Sequence, residues 1–143
     1  MFSKIMNIAA SAMAANRMRI NTISSNIANS ETTRTAEGGP YKRRDVVLAA
    51  TDVATKTFGD ALHKAALQGV KVVKVVTDNQ PPRQVYDPGH PDANAEGMVA
   101  MPNINTVTEM VNLMTASQSY KAAAEIVGIT KDLSAALRRV SQG

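Results

Sequence analysis

Residues 2–28 read FSKIMNIAASAMAANRMRINTISSNIA, and this stretch decides the fold. Eight of its positions repeat at alternating spacings of four and three residues. We call this set the N-terminal seam: Phe2, Met6, Ala9, Met13, Asn16, Ile20, Ile23 and Ile27. Such a repeat predicts a helix that packs lengthwise on other helices. At about 1.5 Å per residue the helix would be roughly 40 Å long, and the Ser and Asn residues at 24–30 predict its end near residue 30.

Asn16 is the one strongly polar member of the N-terminal seam. A lone buried Asn fixes the register and the number of partner helices. On a slightly rotated helix the same residue would simply face solvent, and the sequence leaves both interpretations open.

The same stretch also imitates a cleavable secretory signal peptide. Lys4 precedes an apolar run, and an Ala-Met-Ala triplet at 12–14 resembles a cleavage site. However, Asn7 and Ser11 interrupt the run, and the seam keeps its phase as far as Ile27. A discarded peptide has no reason to keep phase with the sequence after it, so a helix of the mature protein is the favoured interpretation.

Residues 105–143 predict a second long helix. Thr106 and Glu109 have the spacing of a capping box, in which hydroxyl and carboxylate satisfy the free backbone amides of the first turn. Two groups at helical spacing follow and are out of phase with each other: Val107, Met110, Val111 and Met114, then Ile126, Thr130, Leu133, Leu137 and Val140. Small residues at 116–124 separate the groups and would allow close helix approach, so we expect the packing partner to change there.

Residues 31–104 predict a compact middle of loops and short strands. Gly-Gly-Pro at 38–40 breaks the chain, strands are expected at 46–48, 70–76 and 99–101, and residues 55–68 have helical composition. The sequence therefore predicts a mainly α protein with a small β-containing middle. Its terminal helices, at 1–30 and 105–143, are expected to form a coiled coil.

The composition excludes several classes of function. The 143 residues include no Cys and two His, which excludes disulfide scaffolds, Cys-ligated metals, thiol catalysis and multi-histidine metal sites. No apolar run approaches the ~20 residues of a membrane span. Phosphate-loop, dinucleotide and hydrolase motifs are absent. We therefore expect no catalytic residue, no cofactor and no metal.

The net charge of +4 suggests a second interpretation, a basic helical nucleic-acid-binding protein. The charge is spread thinly, at +3 in residues 1–30, zero in 31–104 and +1 in 105–143, and its densest cluster is Lys-Arg-Arg at 42–44. A phosphate-binding surface needs a concentrated basic stripe, often beside stacking aromatics, and the sequence shows neither.

A third interpretation is a small enzyme that uses Asp87, His90 and Asp92. These residues could hold a metal ion or act as an acid–base pair. Their Pro- and Gly-rich surroundings favour a simpler role, in which the Asp side chains cap turns.

The two terminal helices present more apolar surface than this small middle can cover. Each apolar face must be covered by the opposite helix, by neighbouring chains, or by both. We therefore expect both ends to be poorly ordered in an isolated chain and to fold on assembly.

Motifs along the chain resemble those of the bacterial flagellar basal-body rod proteins. NTISSNIAN at 21–29 resembles the signature that closes their first helix, and VYDPGHPD at 85–92 resembles their middle. The segment from Asn105 to Tyr120 resembles their C-terminal signature. Residues 50–68 follow no family pattern and look like a variable insertion. Three positions depart from the pattern, since an acid, an aromatic residue and Asn are usual where Asn94, Met98 and Ala123 stand.

The resemblance implies a structural subunit of the proximal part of the flagellar rod, a hollow shaft that crosses the periplasm and transmits torque. Its implied partners are copies of itself, other rod proteins and the flagellar type III export apparatus, with no small-molecule substrate, nucleic acid or membrane insertion. Its assembly interface is expected on the terminal helices, at Phe2, Met6, Met13, Asn16, Ile20, Ile23, Asn26, Ile27, Asn29, Val107, Met110, Met114, Tyr120, Ile126, Leu133, Leu137 and Val140.

Overall fold

A computed structural model describes residues 2–52 and 68–140 of the chain. Within them, two long helices flank four strands. The elements are α1 (Phe2–Ala28), β1 (Arg44–Asp52), β2 (Gln68–Thr77), β3 (Arg83–Tyr86), β4 (Met98–Met101) and α2 (Thr106–Val140). The predicted fold class, mainly α with a small β-containing middle, is confirmed. The exact division into domains at 1–30, 31–104 and 105–143 stays a prediction.

Helices α1 and α2 pack lengthwise against each other. On α1 the N-terminal seam is covered along its length, with Ala9 and Ile23 buried and the other members half-buried. On α2 it uses small residues: Ala116, Ala123 and Thr130 are buried at intervals of seven residues. Short side chains let two helix axes approach closely. This confirms the packing role predicted for the small residues at 116–124.

The first hairpin consists of β1 and β2, which pair antiparallel with a bulge between Val47 and Leu48. It lies against α1 at Ser11, whose Oγ accepts a hydrogen bond from the Val70 N–H at 3.1 Å. The neighbouring Gly69 is buried, and a Cβ atom there would lie 2.9 Å from Ser11 Oγ. The missing side chain at Gly69 therefore lets the hairpin lie close to the helix.

The second hairpin consists of β3 and β4, in which Val85 pairs with the fully buried Val99. Its connecting loop is held by Asn94, whose side-chain oxygen accepts hydrogen bonds from the backbone N–H groups of Glu96 and Met98, both at 2.9 Å. A carboxylate would accept the same two bonds, so Asn94 replaces the usual acid without changing this loop.

Strands were predicted at three of the four observed positions, and β3 was missed. The predicted strands 46–48 and 70–76 are the central parts of longer strands, and 99–101 falls within β4. The helix predicted at 55–68 lies outside the described residues except for Gln68, where β2 begins.

Candidate assembly interface

The large apolar side chains of α2 are exposed in the isolated chain. Val107 is 69% exposed, Met114 63% and Val140 80%. We call the full set the apolar face of α2: Val107, Met110, Val111, Met114, Ile126, Ile129, Leu133, Leu137 and Val140. Val111 was predicted as part of the helix's apolar pattern, and Ile129 was missed. Contiguous exposed apolar surface of this kind marks an interaction site.

The apolar face of α2 has two parts that point in different directions. A helix turns about 100° per residue. Relative to Ala116 and Ala123, which contact α1, this rotation puts the group at 107–114 on the opposite side of the helix. It puts the group at 126–140 on one flank. The change of phase predicted between the groups is therefore present, and the two parts can face two different neighbours.

The predicted apolar interface residues of α1 are largely covered within the chain itself. Ile23 is buried, and Phe2, Met6, Met13, Ile20 and Ile27 are half-buried. The half-buried Asn16 donates to the Ala12 carbonyl at 2.9 Å, within its own helix. On α2 the half-buried Tyr120 shares the side of Ala116 and Ala123.

Asn26 is fully buried and uses all its hydrogen-bonding capacity inside the chain. Its Nδ2 donates to the Arg44 carbonyl at 2.7 Å and to Glu109 Oε2 at 3.0 Å. Its Oδ1 accepts from the Arg44 N–H at 2.9 Å and from Tyr41 Oη at 3.2 Å. Asn26 was predicted to lie at the assembly interface, but no donor or acceptor of its side chain remains for a neighbouring subunit.

Asn29 closes α1 through local bonds. Its Nδ2 donates to the Ser25 carbonyl at 2.9 Å, and its Oδ1 accepts from the Thr32 hydroxyl at 3.1 Å. Asn29 is half-buried. The observed role of Asn29 is therefore to terminate α1, by bonding to its last turn and to the residues that follow.

Glu109 completes a group of buried polar side chains where the end of α1 meets the start of α2. Its Oε1 accepts from Arg43 Nε at 2.8 Å, and its side chain is 2% exposed. We call Asn26, Tyr41, Arg43 and Glu109 the junction cluster. Burial lowers the pKa of Arg43, but the hydrogen bond and charge of Glu109, with help from Asp45, raise that pKa above its usual value. The Arg43 guanidinium therefore stays charged.

The predicted capping box at the start of α2 is wrong. Asn105 caps the helix instead, because its Oδ1 accepts from the Thr108 N–H at 3.1 Å. The Glu109 carboxylate is directed to Asn26 and Arg43 rather than back to the first turn. A buried guanidinium and amide outcompete an exposed backbone amide for a carboxylate, because charge-assisted bonds are the stronger ones.

Asp87, His90 and Asp92 form local bonds in the loop after β3. Asp87 Oδ1 accepts from the Gly89 N–H at 3.2 Å, which is the turn-capping role predicted for it. His90 Nδ1 accepts from the Asp92 N–H at 3.0 Å. Asp92 accepts from the Thr33 hydroxyl at 2.8 Å and thereby joins this loop to the segment after α1.

The basic cluster at 42–44 is largely engaged within the chain. Arg43 is bound to Glu109, and the Arg44 guanidinium lies 5.8 Å from the centre of the Tyr41 ring. Within residues 2–52 and 68–140, no group of acidic and His residues could hold a metal ion. Neither helix in that part of the chain is long and apolar enough to cross a bilayer.

Comparison with known families gives matches at both ends of the chain. A model of flagella basal body rod proteins matches residues 6–34. A model of the C-terminal part of the flagellar basal body rod FlgEFG proteins matches residues 95–140. The fold with its two long terminal helices thus belongs to the class of flagellar basal-body rod proteins.

Curated relatives cover almost the whole chain. The flagellar basal-body rod protein FlgC of Borreliella burgdorferi is 36% identical over 151 residues, with 100% of this chain and 99% of the relative covered. FlgC of Salmonella typhimurium is 40% identical over 129 residues, and FlgC of Bacillus subtilis 38% over 138, each with 90% of both chains covered. The chain belongs to the FlgC family of flagellar basal-body rod proteins. It is a structural subunit of the rod in the flagellar basal body.

Proposed function

We propose that this chain joins the proximal part of the rod through the apolar face of α2. The supporting observation is the exposure of that face. The nine residues of the apolar face are exposed, whereas Ala116 and Ala123 are buried against α1. Burying a Leu, Ile, Val or Met side chain stabilises a contact by about 1.5–3 kcal/mol. A neighbour that covers this face thus stabilises the assembly.

The proposed partners on this face are copies of this chain and other rod proteins. The outward side of α1 is small or polar at most positions, namely Ser3, Asn7, Ala10, Ala14, Asn21 and Ser24. Small side chains leave room for large ones on an approaching helix. The α1 of a neighbour is therefore a suitable surface for the apolar face of α2.

The remaining parts of the proposed role come from the resemblance to rod proteins. They are a hollow shaft that crosses the periplasm, torque transmission through many helix contacts, and passage through the flagellar type III export apparatus. The lack of Cys agrees with export as an unfolded chain, because no disulfide can form in transit. We propose no catalysis, small-molecule substrate or nucleic-acid partner.

The test compares two substitutions at sites of equal exposure. Leu133 on α2 and Val73 on β2 are each 52% exposed. Leu133→Asp places a charge in the proposed contact, where burial of an unpaired carboxylate is strongly unfavourable. Val73→Asp places the same charge outside the terminal helices. Each variant is expressed in cells that lack the native protein, and isolated basal bodies are assayed for incorporation.

We expect Leu133→Asp to abolish incorporation and swimming, and Val73→Asp to retain both. Normal incorporation of Leu133→Asp would overturn the proposed interface. So would a loss of incorporation that is equally severe in Val73→Asp, because the effect would then not be specific to α2.

A further inference from the structure

We infer that the junction cluster is a positioning device that fixes the direction in which the helix pair leaves the strand region. Three segments distant in sequence meet there. Asn26 comes from the last two turns of α1, Tyr41 and Arg43 from the segment before β1, and Glu109 from the first turn of α2. Asn26 and Glu109, which bond directly, are 83 residues apart.

Asn26 holds the first residue of β1 by both of its backbone groups. The Arg44 N–H donates to Asn26 Oδ1 at 2.9 Å, and the Arg44 carbonyl accepts from Asn26 Nδ2 at 2.7 Å. Two opposed bonds to the N–H and the carbonyl of one residue are what a neighbouring strand would supply in an antiparallel sheet. The amide of Asn26 therefore stands in for a strand and fixes where β1 starts relative to α1.

Glu109 lies between two donors, and this requires a carboxylate. Arg43 Nε and Asn26 Nδ2 both carry hydrogens and both point at the Glu109 oxygens. An ionised carboxylate only accepts, so it satisfies both donors. A Gln at this position would have to turn its own NH2 group toward one of them. The cluster therefore depends on the chemical identity of Glu109 as well as on its size.

The rest of the contact between α1 and α2 constrains direction only weakly. Its buried and half-buried side chains are mostly apolar, and apolar contacts are non-directional. Hydrogen bonds weaken steeply when donor and acceptor are misaligned. Within the contact between α1 and α2, the directional restraint is therefore concentrated at the junction cluster. The first hairpin has one further hydrogen bond to α1, from the Val70 N–H to Ser11 Oγ. This inference does not depend on which surface binds the neighbouring subunits.

The absence of Cys allows a direct test by spin labelling. Cys residues are introduced at Val73 on β2 and Met114 on α2, which are both exposed, and are labelled with nitroxides. Pulsed electron paramagnetic resonance then gives the distribution of distances between hairpin and helix in the purified full-length chain. The variants are Glu109→Gln and Tyr41→Phe. The matched control is Glu125→Gln, the same change at an exposed position of α2.

We expect one narrow distance for the otherwise unmodified chain and for the Glu125→Gln control. Glu109→Gln should lose that distance and give a broad distribution, although its helical circular dichroism is retained. Tyr41→Phe removes the hydroxyl's bonds to Asn26 and to Ser25 Oγ but leaves the Glu109 bonds in place, so it should broaden the distribution less. If Glu109→Gln does not fold, the comparison rests on Tyr41→Phe.

Two results would overturn the inference. One is an unchanged narrow distribution in the folded variants, which would show that the cluster does not set the direction. The other is a broad distribution before any substitution in the cluster. Neither result bears on the apolar face of α2, which the incorporation assay tests separately.

Discussion

Ile23 on α1 and Ile129 on α2 are the same residue type in opposite surroundings. Ile23 lies in the N-terminal seam and is 6% exposed, whereas Ile129 lies in the apolar face of α2 and is 67% exposed. Truncating each residue to Ala therefore separates two requirements. Ile23→Ala tests the packing that stabilises the helix pair, and Ile129→Ala tests the surface that contacts neighbouring subunits.

The expected effects on stability follow from these exposures. Ile23→Ala removes a buried side chain and leaves a cavity, which lowers the free energy of unfolding by about 2–5 kcal/mol. The half-buried Ile20 and Ile27 can relax toward the space, so we expect the lower half of that range. Ile129 is about one-third buried, so Ile129→Ala should cost about 1 kcal/mol or less. The better helix propensity of Ala offsets part of that cost.

Guanidinium unfolding followed by helical circular dichroism measures the first effect, and incorporation into isolated basal bodies measures the second. Ile23→Ala should unfold at clearly lower denaturant concentration. Ile129→Ala should unfold almost as the unmodified chain does and should be incorporated poorly. Equal losses of stability in the two variants would refute the assignment of inner and outer helix faces. Full incorporation of Ile129→Ala would refute the role of the outer face.

Two further predictions concern the loop after β3 and the ends of the helices. Gly97 has a φ of +76°, and a Cβ atom there would lie 2.9 Å from Tyr86 Cε2. Gly97→Ala should therefore destabilise by more than about 1 kcal/mol and lower Tm. The control Gly89→Ala, where the added atom would make an ordinary contact at 3.6 Å, should not lower Tm by as much. Amide hydrogen exchange of the isolated chain should be slowest beside Asn26 and Glu109 and faster toward Phe2 and Val140. Uniformly slow exchange along both helices would contradict folding on assembly.

The N-terminal helix could be predicted from sequence because its seam keeps one spacing throughout, and six of its eight members are large apolar residues. The contact face of α2 gave a weaker signal, since its buried residues Ala116, Ala123 and Thr130 are small while most of the large apolar residues are exposed. Hydrophobic periodicity identified the helix and its apolar residues. It could not tell which of the two faces would meet α1, because the outer face is the more hydrophobic one.

The junction cluster could not be predicted because its bonds join distant segments. The spacing of Thr106 and Glu109 satisfies a local rule, but the partner of Glu109 in α1 is 83 residues away. Arg43 looked like one member of a basic surface cluster, and nothing in its neighbours indicated a buried carboxylate. The four-residue strand β3 was missed for a similar reason, since its pairing with β4 depends on tertiary contact.

The junction cluster lies at one end of the helix pair, so a small rotation of α1 about the cluster moves the far end of α1 by a much larger distance. Phe2 is 24 residues from Asn26, a separation of about 36 Å along the helix axis. A rotation of about 5° at Asn26 would move the tip by about 3 Å, by the same geometry. That is nearly the ~3.5–4.0 Å separation of two carbon atoms in contact. The precision with which the tip is placed is thus set by the few bonds of the junction cluster, together with the Ser11–Val70 bond farther along α1.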